Sequence, residues 1–389
     1  MSTETTETTK PLYNNKNPYH ATHPVNIKLT GDASEKDTRH HEIDLTGSGV
    51  TYEAGDALAL KATNDSEVVA LTLAALGFTG DEVVKVKDVE KPISEAFFSD
   101  YILHFTEKKF IQKLAEKGVA KAAEWLLPEN AAALAEVLTG RNLAKDYADL
   151  LRELPEVKFT PQEFVDTLRA LAIRLYSISS SQKAHPNGVH LTVATVSWKA
   201  HDRKRRGLAS NFLAERWKDG MTAGIFIQAQ KHFRLPEDTN TPVIMCGPGT
   251  GVAPFRAYLE DREASGAKGK NWLFFGEQRE AQDFFYREQF AGWLKSGLLT
   301  RMDTAFSRDQ EKKIYVQNRI TEAGAELWKW LSEGAYFYIC GDKNRMAKDV
   351  HDALIAVVAQ HGGKTAEEAK FYVEETMMKT EKRYRRDVY

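Results

Sequence analysis

Residues 242–262 read PVIMCGPGTGVAPFRAYLEDR: an apolar run of strand length, a Gly-rich turn, then an amphipathic helical pattern. A strand without polar alternation is one buried on both faces. Two later runs, NWLFFGE (271–277) and AYFYICGD (335–342), repeat this grammar, each followed by a helical pattern. Doubly buried strands alternating with helices predict a doubly wound parallel sheet. Gly247, Gly249 and Gly251 let backbone N–H groups close on an anion, with the positive end of the following helix aimed at the same point. The spacing is G-P-G-T-G and not GxGxxG, and a plain tight turn satisfies it equally well. Cys340, Gly341 and Asp342 fall at the carboxyl end of another such strand, the edge at which these sheets bind ligands. From spacing alone, Cys340 reads more readily as a small buried residue. In SRDQEKKIYVQ (307–317), cationic Arg308, Lys312 and Lys313 stand among Ser307, Tyr315 and Gln317, a set suited to a phosphomonoester or, alternatively, to a solvated charged loop.

Upstream the grammar differs. VNIKL (25–29) and HHEIDL (40–45) alternate apolar and polar residues as half-buried antiparallel strands do, and TYEAGDALAL (51–60) reads as a strand turning at Gly55-Asp56. After the N-cap candidate Asp65 the chain turns helical, and AEKGVAKAAEWL, ENAAALAEVL and NLAKDYADLL carry that composition to about residue 160. Strands return at RLYSISS, VHLTVATVSW and TAGIFIQAQ. The sequence thus predicts a flexible polar tail over 1–22, an antiparallel β-barrel over 23–62 and 161–236, a helical insertion over 63–160, and the parallel-sheet domain over 237–389.

A chain of 389 residues suggests two or three domains, and 42% apolar with 28% charged residues is a globular balance. The net charge of -2 gives no bulk reason to expect nucleic acid or an anionic membrane as partner. The only two cysteines, Cys246 and Cys340, are too far apart for a metal motif or a disulfide framework, so no metal is expected. No apolar run approaches the roughly 18 residues of a membrane span, and the Thr- and Glu-rich beginning is unlike a signal peptide. The expected setting is cytoplasmic.

RLYSISSS (174–181) offers Arg174 as a fork of donors for a pyrophosphate, Tyr176 as a flat stacking ring and Ser177 as a hydroxyl for a ring nitrogen. RRGLASNFL (205–213) places a Gly-small-small-Ser turn ahead of a helix, again suited to phosphate oxygens. A hydroxyl-rich strand and an ordinary helix start would look the same. With FRLP, PVIMCGPGTGVAPFRAYL, KNWLFFGE, LTRMDTAFSRDQEKKIYVQ, CGDKNRMAKDV and RYRRDVY, these motifs stand in the order found in the diflavin reductases. Over residues 24–389 the chain resembles that family, in particular its sulfite reductase flavoprotein and cytochrome P450 reductase branch.

The resemblance implies an FAD-binding β-barrel with a helical connecting domain, followed by a ferredoxin-NADP reductase-like NADPH domain. Carried onto matching positions, it assigns FAD contacts to Arg174, Leu175, Tyr176, Ser177, Thr192, Val193, Ala194 and the turn Gly207, Leu208, Ala209 and Ser210. Trp198 falls where the family usually has Tyr. NADPH is assigned to Thr250, Ser307, Arg308, Lys313, Ile314, Tyr315, Val316, Gln317 and Asp349. Ser177, Cys340, Asp387 and Tyr389 are the expected catalytic residues, with Tyr389 covering the flavin. The implied activity is an NADPH-oxidising FAD reductase serving assimilatory sulfite reduction, or else a stand-alone flavodoxin or ferredoxin reductase. No FMN domain is expected in this chain, so its implied partner is sulfite reductase haemoprotein or a separate FMN or flavodoxin-type protein.

Overall fold

The computed structural model describes residues 12–139 and 145–389. The first half of the expected tail (1–11) and residues 142–144 of the expected helix NLAKDYADLL lie outside them. The chain divides into two compact units: one of residues 1–59, 175–194 and 219–389, the other of 60–174 and 195–218.

In the first unit, Asn271–Glu277, Val243–Cys246, Tyr336–Gly341 and two further strands, Arg301–Phe306 and Tyr384–Val388, form a five-stranded sheet. Its order is 301–306, 271–277, 243–246, 336–341, 384–388, and every pairing is parallel. Successive strand residues face opposite sides, and the two faces fill separate cores. Ile244, Cys246, Trp272, Phe274, Phe337 and Ile339 pack under the helices Val316–Glu322, Gly324–Ser332 and Met346–Gly362. Val243, Met245, Leu273, Phe275, Tyr338 and Cys340 pack under Ala253–Ala264 and Arg287–Ser296. Both faces being covered is why these strands carry no polar alternation.

The same unit holds two antiparallel sheets. One has the order Tyr19–Ala21, Ala223–Gln228, Ala57–Leu60, Arg174–Ser177; the other has the order Val25–Lys28, Thr38–Asp44, Gly188–Ala194. Ile178 bridges to Leu191 at one flank, and the Asp44 N–H donates to the Thr22 carbonyl at 3.1 Å at the other, so the two sheets close into a barrel. Tyr19–Ala21 lies in the stretch read as a tail. Its pairing with Ala223–Ile225 corrects that reading, because backbone hydrogen bonds hold a polar segment that has little apolar surface to bury. Among the described residues no helix is long and apolar enough to cross a membrane.

The second unit is built around Phe97, Phe110, Tyr147 and Phe164, all buried, with ring centroids 5.0–5.8 Å apart. Asp65 caps the helix Ser66–Leu76 by accepting the Glu67 N–H, and Gly77 ends it at φ 74°. A hairpin, Ser197–Ala200 with Arg203–Arg206, turns through His201 and Asp202 at φ 48° and 57°. Arg203 donates to Asp146 at 2.6 Å and to Asp149 at 2.7 Å, and Arg205 bonds both carboxylates as well. Asp146 and Asp149 also form the capping box of the helix Tyr147–Glu153. This cluster fixes the strand that leads directly into the turn at Gly207. Removing one member strands buried opposite charge, so Asp146→Ala is expected to destabilise the unit by about 3 kcal/mol or more, measured by urea denaturation.

Candidate functional site

The Gly-rich turn owes its shape to close backbone packing. A Cβ on Gly251 would stand 2.1 Å from the Cys340 carbonyl oxygen, and one on Gly247 would stand 2.4 Å from the Gly251 carbonyl. Gly249 adopts φ 60°, where L side chains are strained. The turn therefore lies against the end of the neighbouring strand, and the helix Ala253–Ala264 starts beside Cys340 and Gly341.

At that edge, side chains from three strands meet. The Ser177 hydroxyl donates to Asp387 Oδ2 at 2.7 Å, and the Cys340 thiol lies 3.8 Å from the same oxygen. Cys340 is fully buried; burial first, then the Asp387 charge, hold its thiol well above the usual range. It is a neutral packing group and not a thiolate. Tyr389 is held at three points: its N–H donates to the Gly341 carbonyl at 3.1 Å, its carbonyl accepts from the Lys343 N–H at 3.1 Å, and its hydroxyl meets Thr250 Oγ1 at 3.1 Å. Yet 62% of Tyr389 is exposed. An aromatic ring fixed in place and left uncovered suits a flat stacking partner.

A cleft of about 490 Å³ opens beside the turn. Gly249, Ser307, Arg308, Lys313, Tyr315, Val316, Gln317 and Asp349 all line it, so most of the residues expected to hold the nucleotide converge there. Ser307 and Arg308 are hung from the end of strand 271–277, their N–H groups donating to the Glu277 and Gln278 carbonyls at 2.9 and 2.8 Å. Gln317 donates to Asp349 at 3.2 Å. Tyr315 is 45% exposed, a free ring face in the cleft. Thr250 stands with Tyr389 outside the cleft lining, and Ile314 packs partly into the core. Lys313, and not Lys312, faces the cleft. The donor set suits a dinucleotide phosphate: Arg308, Lys313 and Arg345 supply cations. Lys36 and Glu277 also line the cleft and went unrecognised, because 241 residues separate them in sequence and only the fold pairs them, at 2.6 Å.

Of the residues expected at the flavin in the first unit, Leu175 is half exposed and Tyr176 and Ser177 are partly exposed. Thr192 and Val193 are buried, and the Thr192 hydroxyl meets the Tyr286 hydroxyl at 2.7 Å. What this strand can offer a ligand is therefore its backbone and Ala194, since the Thr192 hydroxyl is already engaged. In the second unit, Arg174 is exposed, and Trp198 stacks on Phe105 with centroids 6.2 Å apart and planes 9° from parallel. Gly207 precedes the short helix Leu208–Asn211, and Ser210 Oγ accepts the Val196 N–H at 3.1 Å.

Among the described residues, His40, Glu42 and His190 cluster at metal-binding distances. Their polar atoms already serve each other. His40 contacts Glu42 at 3.2 Å and the Tyr286 hydroxyl at 3.0 Å, and the Arg256 guanidinium stands 3.5 Å from His190 Nδ1. Burial, then His185 and Arg256, push His190 down to about 2. This is a buried hydrogen-bond network tying two barrel strands to Tyr286.

A closed barrel, a parallel sheet with a Gly-rich turn at its carboxyl edge and a cleft beside it make up a chain with an FAD-binding and an NAD-binding domain. Residues 12–212 match the FAD binding domain family and residues 245–352 the oxidoreductase NAD-binding domain; the chain belongs to the FAD binding domain family. It is 44% identical over 98% of its length to the sulfite reductase [NADPH] flavoprotein alpha-component of Bacillus subtilis (strain 168), covering 63% of that protein. It is 45% identical over 97% of its length to that of Aliivibrio fischeri, covering 61%, and 46% identical over 93% to that of Photorhabdus laumondii, covering 59%. The chain thus spans about three fifths of the length of these curated relatives.

Both cysteines are fully buried, and burial raises both thiols. At pH 8 the folded chain should resist a thiol-modifying reagent, both cysteines reacting only after denaturation. Rapid labelling of Cys340 in the folded protein would contradict the neutral, packed thiol.

Proposed function

We propose that this chain oxidises NADPH at the carboxyl edge of the parallel sheet and passes the electrons through FAD to a protein acceptor. The observation that carries the reading is the Ser177–Asp387–Cys340 cluster, lying beside the Gly-rich turn in the unit that also holds the cleft lined by Arg308, Lys313 and Arg345. The chemistry the two bound cofactors supply is hydride transfer from nicotinamide to flavin.

The protein's part is position and charge. Asp387 fixes a negative charge at the strand end, where a developing positive charge on the nicotinamide ring is stabilised. Ser177 shares its proton with Asp387 and is the proposed donor to the flavin ring nitrogen. Neutral Cys340 packs at the nicotinamide without adding a second negative charge. Tyr389 covers the flavin face and has to leave it before nicotinamide can approach, which makes its displacement a gating step. Arg308 and Lys313, with Ser307, Tyr315 and Gln317, hold the 2′-phosphate end of NADPH. Ile314, Val316 and Asp349 shape and orient that wall, and Thr250 belongs to the turn under the nicotinamide end. For FAD, Tyr176 and Leu175 line the ring, Thr192 to Ala194 contribute backbone, and Trp198 stands in for the usual Tyr. Arg174 and the turn Gly207, Leu208, Ala209 and Ser210 bind the pyrophosphate.

The relatives' names point to sulfite reductase, so the proposed acceptor is its haemoprotein or an FMN or flavodoxin-type protein, and the proposed setting is the cytoplasm. Purified chain is expected to be yellow, to release FAD, and to oxidise NADPH with at least one of sulfite reductase haemoprotein, flavodoxin or ferricyanide as acceptor. A colourless protein without NADPH oxidation would overturn the reading. In stopped-flow absorbance, Ser177→Ala and Cys340→Ala should each slow flavin reduction by at least about tenfold while leaving NADP⁺ binding nearly unchanged. Removal of Tyr389 should raise NADH use relative to NADPH; an unchanged ratio would remove the gate.

A further inference from the structure

The loop between strands 25–28 and 38–44 reaches the cleft and is fastened to its rim. The Gly31 N–H donates to the Gln282 carbonyl at 2.8 Å and the Ala33 N–H to Gln282 Oε1 at 3.2 Å; Ser34 bonds Asp283. A Cβ at Gly31 would stand 2.2 Å from Gln282 Oε1 and 3.5 Å from the Gln282 Cα, so the loop lies in direct contact with this rim. Its next two residues carry opposite charges, and each is paired with a group of the cleft. Glu35 binds the guanidinium of Arg308, and Lys36 binds Glu277 at 2.6 Å.

The two pairs differ in what opening them costs. The Glu35 side chain is 61% exposed, so a released carboxylate returns to water at little expense. The Glu277 side chain is 3% exposed, and without Lys36 it would be a buried carboxylate with no cation, held only by the Gln278 N–H at 2.8 Å. Glu277 also adjoins the Gly-rich turn, its Oε1 lying 3.4 Å from where a Cβ of Gly249 would be. An uncompensated carboxylate there would repel any diphosphate laid on the turn. Arg308, meanwhile, is one of the cleft's cations, and the Glu35 carboxylate already occupies a guanidinium donor that a phosphate oxygen would otherwise take. Arg279 steadies this arrangement, donating to the Arg308 carbonyl at 3.1 Å and adding to the pull that lowers Glu35 below the usual carboxylate range, after the Arg308 hydrogen bond and charge.

The geometry points to Glu35 and Lys36 as affinity-setting residues of opposite sign: Glu35 stands in for the cofactor's phosphate on Arg308 and must be displaced by it, while Lys36 neutralises Glu277 and so keeps the cleft open to anions. This rests on the cleft being the NADPH site. It makes discrimination between phosphorylated and unphosphorylated dinucleotide a competition, in which only a ligand carrying the extra phosphate can take Arg308 from Glu35.

The test is binding of 2′,5′-ADP and 5′-ADP to the FAD-loaded chain by titration calorimetry. Glu35→Gln should tighten 2′,5′-ADP by about two- to fivefold, as expected for an exposed ion pair, and leave 5′-ADP unchanged. Lys36→Met should weaken both nucleotides by roughly tenfold or more, and adding Glu277→Gln to Lys36→Met should restore most of the loss. A general structural defect would not produce tightening at residue 35, nor rescue at residue 277. If wild-type protein binds 2′,5′-ADP but Glu35→Gln fails to tighten it, or the double variant gains nothing over Lys36→Met, the inference fails while the cofactor site stands. If wild-type protein binds neither nucleotide, both fail.

Discussion

The hydrogen bond from Ser177 to Asp387 spans 210 residues of sequence and joins a barrel strand to the edge strand of the parallel sheet. Everything proposed for the site depends on those two strand ends meeting. Asp387 stands in register opposite Cys340 on the neighbouring strand, so one carboxylate touches the hydroxyl on the barrel side and the thiol on the sheet side. Burial, and after it this neighbouring carboxylate, keep the Cys340 thiol from acquiring a charge.

The parallel sheet was legible because its central strands are buried on both faces. VIMC, NWLFFGE and YFYICG contain almost nothing that water would favour, and the structure fills the space on each side with helices. Its two outer strands were harder to read. Tyr384–Val388, sequence YRRDV, is mostly charged yet pairs along its whole length, because an edge strand needs backbone partners on one side and little apolar anchorage, here Tyr384 and Val388 at its two ends. Tyr19–Ala21 escaped notice for the same reason: a strand held by its backbone leaves little trace in composition.

The candidate site divides along a similar line. Ser307 to Gln317 could be read as a candidate phosphate site because its hydrogen-bond donors lie in one continuous stretch, most of which lines the cleft. Lys36 and Glu35 could not, since a Glu-Lys dipeptide in a polar loop matches any solvated turn and gains meaning only from the guanidinium and carboxylate brought opposite it. The Thr192 hydroxyl shows the reverse case. Its strand falls in a stretch that the family resemblance assigns to the flavin, but alternation turns that side chain toward Tyr286.

The helical insertion leaves the barrel after Ala57–Leu60 and returns at Arg174–Ser177, two strands that lie side by side in one sheet. Joining strands so far apart along the chain would normally carry a large entropy of loop closure. The intervening segment has its own aromatic core and capped helices, built from contacts within its own stretch of sequence. Once that core has condensed, its two ends emerge as neighbours, and the effective length of the loop falls from more than a hundred residues to a short crossing. The strand that carries Tyr176 and Ser177 therefore pairs with its neighbour across what is in effect a short loop, however long the sequence between them.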